Sequence, residues 1–477
     1  MTIKQGTNHM FATRAEVIAS RDEVSDLQLA DKRTQLHPFT NAHVHSEQGG
    51  LLIERGDGVY VIDANGERYL EGMSGLWCVA LGFSNKRLAA AAAKQFDVLP
   101  YYHQFVNKTM SPCIKLSEKL IEIAPGPMSK VFLANSGSEA NDTAVKLVWY
   151  FNNAKRRPQK KKIISRKNGY HGVTIASASL TGLPAVHKAF DLPLPGFLHV
   201  SCPNVYRDML PGETEESYAD RLAAELENLI LEEGPETVAA FFGEPVMGAG
   251  GVHIPPATYW EKIQKVCRKY DVLVVADEVI TGFGRTGAMF GCDKYGIKPD
   301  ILVLSKQITS AYQPLSAVLI NEHVYEGVAD QASAVGAFAH GFTGGGHPVA
   351  AAVALENIAI IEEDGLAERA AVLGKRFYTS LQDFQDHPLV GDVRAVGLIG
   401  AIELVADKDT KASFDVPGQV GRYLVERAQA NGLVVRGIGD VIAFCPPLII
   451  SEREIDELIS RFAQALEETT QWYYASN

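Results

Sequence analysis

The sequence is short of several things, and each shortage closes off a class of protein. Its six cysteines, at positions 78, 113, 202, 267, 292 and 445, show no C-x-x-C pattern and no regular spacing. That argues against a disulfide framework and suits reduced thiols in the cytoplasm. Positive charge is in deficit, with 45 Lys and Arg against 57 Asp and Glu, a net −12. Nucleic acid is therefore not expected as a partner, because phosphate neutralisation needs a basic surface. No apolar run nears the roughly 20 residues that cross a bilayer, so no membrane partner is expected. The opening "MTIKQGTNHMFATRAEV" lacks an apolar h-region, and no secretory signal is expected. The histidines, "HVH" at 43–45 included, lack metal-ligand spacing, and no metal site is expected. There is no internal repeat and no low-complexity tract.

What is present is an ordinary globular composition, 46% apolar and 21% charged over 477 residues, long enough for two or three domains. One basic run, "KRRPQKKK" at 155–162, reads as a solvated loop. From about residue 129 short β-rich runs alternate with helical patterns. "SYADRLAAELENLI" sets Tyr218, Leu222, Leu226 and Ile230 at steps of four, one face of a helix. Near-continuous apolar strands separated by helices predict a mainly parallel sheet covered on both faces. After residue 346 the texture changes to an α+β pattern. The strand pair suggested by "LLIERGDGVYVIDANGERYL" is expected to pack with that smaller unit. The expected organisation is an N-terminal segment (1–75), a large α/β domain (76–346) and a small α+β domain (347–477).

Polar residues gather where apolar strands end, which is where open α/β sheets bind ligands. "FLANSGSEAN", "FFGEPVMGAGG", "VVADEVITGFG" and "LVLSKQ" bring Ser136, Gly137, Ser138, Glu244, Asp277 and Lys306 to one cleft. "NSGSEAN" at 135–141 offers glycine for close approach, two hydroxyls and a helix N-terminus, hence an anion cradle; it is equally an N-cap with Glu139 in the first turn. Asp277 closes a strand apolar on both faces, so its carboxylate needs a cation or several donors. Lys306 follows the strand "ILVLS", a position that either lets the ammonium escape to water or holds it for chemistry. "NGYHG" (168–172) puts Tyr170 and His171 on a turn beyond a strand, where Tyr170 could cover a planar ring opposite Val279 or be an ordinary half-buried aromatic. A lysine able to form a Schiff base, an acid for a ring nitrogen and an anion site are together what pyridoxal 5′-phosphate (PLP) requires. "GFGRTG" (282–287) matches G-x-G-x-x-G but opens no apolar helix and lacks the acidic residue of a 30-residue βαβ unit, so a dinucleotide site is rejected.

These motifs, with "LSKQITSAYQPLSA", "HGFT", "GHPVAAAVALE", "HPFT", "GLWCVALG" and "CPPLIIS", occur in an order that resembles the class III aminotransferases, PLP fold type I, and among them the omega-transaminases acting on amines and pyruvate. The resemblance spans nearly the whole chain. It implies an α/β large domain with a smaller α+β domain, PLP as cofactor, and a homodimer or homotetramer with active sites at the subunit interface. By resemblance Lys306 is the Schiff-base lysine and Asp277 the partner of the ring nitrogen. Gly137, Ser138 and the neighbouring subunit's counterpart of Thr343 hold the phosphate, and Ser136 and His171 belong to the cofactor site. Tyr170 and Val279 sandwich the ring, Glu244 lies near its hydroxyl, and Trp77 lines the substrate pocket. Arg436, in "VVRGIGD", matches a mobile arginine that pairs with the acceptor carboxylate; read without the family it is a solvated arginine beside Asp440.

The implied reaction moves an amino group from a primary amine, diamine or omega-amino acid to a keto acid, with pyruvate expected, by ping-pong kinetics. An aminomutase or a dialkylglycine-type decarboxylase would use the same cradle, and a non-catalytic binding module would leave Lys306 and Asp277 unexplained. This chain departs from the family at Gly344 and Gly345, and the Gly344–Gly346 run is expected to give a looser loop and a roomier pocket.

Overall fold

The computed structural model describes residues 21–476; the opening segment, and with it the first part of the 1–75 unit, lies outside the described residues. At the centre stands a seven-stranded sheet in the spatial order Lys130–Ala134, Ser316–Ile320, Ile301–Leu304, Leu273–Asp277, Val238–Gly243, Lys162–Arg166, Phe197–Val200. Ser316–Ile320 is antiparallel to both neighbours, and the other pairs are parallel. The expected mainly parallel sheet is thus what forms.

Side-chain alternation explains why such apolar runs make strands here. Val274, Ala276, Phe241, Leu302 and Leu304 pack into one core, and Leu273, Val275, Ala240, Phe242, Ile301 and Val303 into the other. The second core is shared with Ala140, Ala144, Val148 and Phe151 of the helix Gly137–Ala154. Alternation then puts Asp277, two residues beyond Val275, on that helix's side of the sheet. On the other side, the helix Glu215–Glu233 buries Tyr218, Leu222, Leu226 and Ile230, the stripe expected from the sequence.

The "LLIERGDGVYVIDANGERYL" region forms three antiparallel strands, Ile53–Asp57, Tyr60–Asp63 and Arg68–Glu71, rather than a pair. Leu433–Val434 adds to the last of them in parallel, tying the two ends of the chain. A second four-stranded sheet holds Val390–Val396, Ile399–Leu404, Val441–Phe444 and Arg436–Ile438. The helix Pro348–Glu363 packs on the helices Lys86–Val98 and Ser111–Ile123 and on the turn that begins at Lys306.

The basic run is less solvated than expected. Lys160 is buried, its ammonium donating to the carbonyls of Pro235 and Tyr270. Lys161 donates to Trp149 and Asn153, and Lys162 pairs with Glu233. Carbonyls at the ends of neighbouring elements satisfy these ammonium groups, a feature that charge counting cannot show.

Candidate active site

The carboxyl ends of the parallel strands meet the N-terminus of the helix Gly137–Ala154 around one cleft. Its walls include Gly137, Ser138, Asn141, Tyr170, His171, Glu244, Asp277, Val279 and Lys306. Eight of the twelve residues expected at the site line this cavity, and Arg436, which does not, is near enough to Tyr170 for the two groups to interact electrostatically.

Lys306 begins a 3-10 turn, Lys306–Thr309, immediately after Ser305 closes the strand, with φ of +50°. A left-handed backbone at a non-glycine residue costs about 1–3 kcal/mol and persists only where the surroundings enforce it. Here Asn357 Nδ2 donates to the carbonyls of Gln307 (2.7 Å) and Ile308 (3.2 Å), and its Oδ1 accepts from Ser310 (2.6 Å). Gln307 is locked in turn, donating to the carbonyls of Ile280 and Gly282. Burial pushes the Lys306 amine below its ordinary value, with Cys78, Asp277 and Glu244 pulling the other way. Its side chain is half-buried and lines the cleft rather than standing on the open surface.

Asp277 is held from three directions. Its Oδ2 accepts from Asn141 Nδ2 (2.8 Å) and lies 2.7 Å from His171 Nδ1, while Oδ1 accepts from the Val279 backbone N–H (3.1 Å). Asn141 Nδ2 also donates to the His171 carbonyl at 2.8 Å. Asn141 was not singled out in the sequence, although its place three residues after Ser138 and four after Gly137 puts it on the same helix face. His171 acts by orienting Asp277. Glu244 is buried, accepts from the Tyr170 N–H at 3.3 Å, and titrates at about 7 because burial disfavours its charged form. Arg166, wholly buried, donates to the Glu244 carbonyl and sits 5.3 Å from the Trp260 ring centre.

Four expected residues do not line the cavity of this chain. Ser136 is the N-cap of the helix, its hydroxyl accepting from the Glu139 N–H at 3.2 Å, so the capping alternative describes its side chain. Thr343 is exposed and outside the cavity of its own chain, its carbonyl accepting from the Tyr101 hydroxyl at 2.8 Å. Trp77, also with positive φ (+64°), is buried among Val246, Val252 and Ile280, behind the Ile280 wall of the cavity. Arg436 is half-buried, and the only charge interaction shifting it comes from the Tyr170 phenol. Asp440 does not pair with it; its oxygens accept from the Gly418 and Gly421 N–H groups.

The glycine run is packed rather than open. A Cβ at Gly345 would stand 2.7 Å from the Leu133 carbonyl, and one at Gly346 would overlap Gln104. "GFGRTG" is structural: Arg285, wholly buried, donates to the carbonyls of Leu398 and Pro446 and to Gln307, joining the Lys306 turn to the second sheet.

The residues fit PLP. Glu244 Oε1, Asn141 Oδ1 and His171 Nε2 are buried and lack hydrogen-bond partners among the described residues, polar atoms that a bound group would satisfy. Gly137 keeps clear the space beside Val279, where a Cβ would come to 3.3 Å. A half-buried lysine in a cleft, a carboxylate held from three sides and a glycine–serine helix start are the features of a PLP enzyme of fold type I. The family model "Aminotransferase class-III" matches residues 42–466. The chain belongs to that family and is a PLP-dependent aminotransferase.

Its relatives agree. "Gamma aminobutyrate transaminase 1, mitochondrial" of Solanum lycopersicum is 50% identical over 435 residues, covering 91% of this chain and 84% of that protein. The crystal structure of the omega transaminase of Pseudomonas jessenii in complex with PMP is 63% identical, with a TM-score of 0.93, covering 94% of this chain and 98% of that one. A transaminase solved with L-alanine is 56% identical, TM-score 0.87, covering 89% and 100%. Among the described residues no helix is long and apolar enough to cross a membrane.

Proposed function

We propose that this enzyme is an omega-transaminase, transferring the amino group of a primary amine, diamine or omega-amino acid to an alpha-keto acid, with pyruvate as acceptor. The observation that carries this reading is Arg436, a half-buried guanidinium with no acidic partner among the described residues and near Tyr170, which lines the cavity that holds Lys306. An arginine kept partly dry and unpaired is ready to take a carboxylate in a bidentate hydrogen bond and to turn away for an uncharged substituent. The relative solved with L-alanine, the amino counterpart of pyruvate, supports that acceptor.

When bound, PLP supplies an electron-withdrawing ring that stabilises charge developing at the substrate carbon. Asp277, fixed by Asn141, His171 and the Val279 N–H, would keep a ring nitrogen protonated. Gly137, Ser138 and the helix start would hold the phosphate. Tyr170 and Val279 would enclose the ring, and Glu244 would lie near its hydroxyl. Lys306 Nζ, its basicity lowered by burial, would take the proton from the substrate carbon and give it back as general acid–base during the transfer. The donor leaves as a carbonyl product before the keto acid enters, giving ping-pong kinetics.

The reading includes a homodimer. Thr343 lies outside the cavity of its own chain, so its hydroxyl reaches a phosphate only in a partner's site. The neighbouring surface exposes Tyr101, Tyr102, Phe105 and Val106, an apolar face of the kind that subunits cover. Free cysteines support a reducing compartment, with the cytoplasm as the proposed one.

The test is the visible absorption of the purified protein, with putrescine, a beta-amino acid and a benzylic amine added separately, then pyruvate. A cofactor band that collapses with an amine and returns with pyruvate is the expected result and ranks the donors. A band that no amine changes overturns the assignment.

A further inference from the structure

One cluster of side chains far along the chain from the catalytic motifs has no part in the reaction. The helix Arg21–Thr34 and the short helix Ala42–Gln48 fold against each other, joined by a bond from the Lys32 ammonium to the Glu47 carbonyl. Three polar side chains converge from three places on this hairpin. Asp31 comes from the last turn of the first helix, His37 from the connection and His45 from the second helix. Asp31 Oδ1 lies 2.7 Å from His37 Nε2, and Asp31 Oδ2 lies 3.2 Å from His45 Nε2. The two imidazole centres are 4.0 Å apart, with planes inclined at 35°. The three donor atoms lie within 4.8 Å of one another, and among the described residues no other trio of His, Cys, Asp or Glu does so.

A second observation points to a ligand. His45 is only 7% exposed, and its Nε2 is buried and makes no hydrogen bond among the described residues, although Asp31 is 3.2 Å away. A ring nitrogen held close to a carboxylate oxygen but off the hydrogen-bond line is an unfavourable way to bury an imidazole. It is a natural arrangement for two ligands of one centre. Around a tetrahedral ion with bonds of about 2.0–2.1 Å, neighbouring donor atoms stand about 3.4 Å apart.

We propose that Asp31, His37 and His45 form a binding site for a divalent transition ion, with zinc as its representative. Two imidazoles and one carboxylate suit zinc and its neighbours, whereas magnesium and calcium call for oxygen alone. The ion takes the lone pairs of the two neutral imidazoles and of the carboxylate, and the Asp31–His37 hydrogen bond opens. Water completes the coordination from the adjoining hollow bounded by Leu27, Gln35, Gly50 and Leu52. None of the three residues lines the Lys306 cavity, so the ion is structural, clasping both helices and their connection. The spacing 31, 37, 45 matches no metal motif, because a turn of helix, a loop and a second helix each supply one ligand.

The test uses the cofactor-loaded enzyme, stripped of metal with a chelator and titrated with zinc or cobalt. About one equivalent per chain should bind, and cobalt should give visible bands of tetrahedral intensity. Asp31→Asn and His37→Gln should each weaken binding at least about tenfold. His43→Gln, at an exposed residue of the same helix, should leave binding and transaminase activity unchanged. The cobalt spectrum needs only the natural protein, so it decides even where His45→Gln does not fold. Zinc uptake no greater than that of an Asp31→Asn, His37→Gln, His45→Gln triple variant would overturn the proposal, leaving Asp31 as the hydrogen-bond partner of His37 alone.

Discussion

Replacing Arg436 with alanine separates the two substrates of one pocket. The side chain is half-buried on the strand Arg436–Ile438, its guanidinium pushed below its ordinary value by burial, with the Tyr170 phenol favouring its charge. Among the described residues no acidic group pairs with it, so a keto-acid carboxylate would receive both arms of the fork. Charge-assisted hydrogen bonds contribute about 1.5–3 kcal/mol. At 1.36 kcal/mol per tenfold, Arg436→Ala should raise the pyruvate KM by about 10- to 150-fold. A benzylic amine has no carboxylate, and its half-reaction should change by less than about threefold. A beta-amino acid carries the carboxylate and should weaken alongside pyruvate. The assay is a stopped-flow measurement of each half-reaction by cofactor absorbance, with Arg436→Lys as control; it keeps charge but loses the planar fork and should fall between the two. An unchanged pyruvate KM, or an equal loss with the benzylic amine, would refute the role.

Three further outcomes are expected. Glu244 has an ordinary value of 4.5 and titrates at about 7 when folded, so its burial is tolerated below pH 4.5 and this stability is lost as pH rises through 7. At 1.36 kcal/mol per unit the loss is at most about 3 kcal/mol; chemical unfolding should show wild type weakening relative to Glu244→Gln between pH 5 and 8.5, and a difference flat in pH would count against it. Asn141→Ala strips one donor from Asp277 and should speed cofactor loss about tenfold or more, read by dialysis and absorbance; full retention would show that Asn141 does not position Asp277. Gly172→Ala puts a Cβ 2.5 Å from Ser138 Oγ at a φ of +132°, which should cost at least about 1–3 kcal/mol and lower the melting temperature; an unshifted Tm would contradict the packing.

Much of the site could be read from the chain because its parts are local. Strand ends followed by glycine and polar residues announce themselves as turns, so Gly137, Ser138, Tyr170, Glu244, Asp277 and Lys306 are visible as strand-end residues. The support beneath them is not local. Asn357 reaches the Lys306 turn from a helix some 50 residues on, and Arg285, hidden in a false nucleotide fingerprint, ties that turn to the second sheet. Lys160 looked solvated for the same reason: the carbonyls that receive it belong to elements 75 and 110 residues away.

Alternating apolar positions and strand–helix order by themselves determined the parallel sheet and the edge at which its chemistry sits, because side-chain period and chain direction are properties of consecutive residues. Only the tertiary structure decided that Ser136 caps a helix, that Thr343 faces away from its own cavity, that the glycine run is filled by neighbours, and that Asp31, His37 and His45 meet. Each of these depends on distances between segments, which hydrophobic packing sets and which no local pattern encodes.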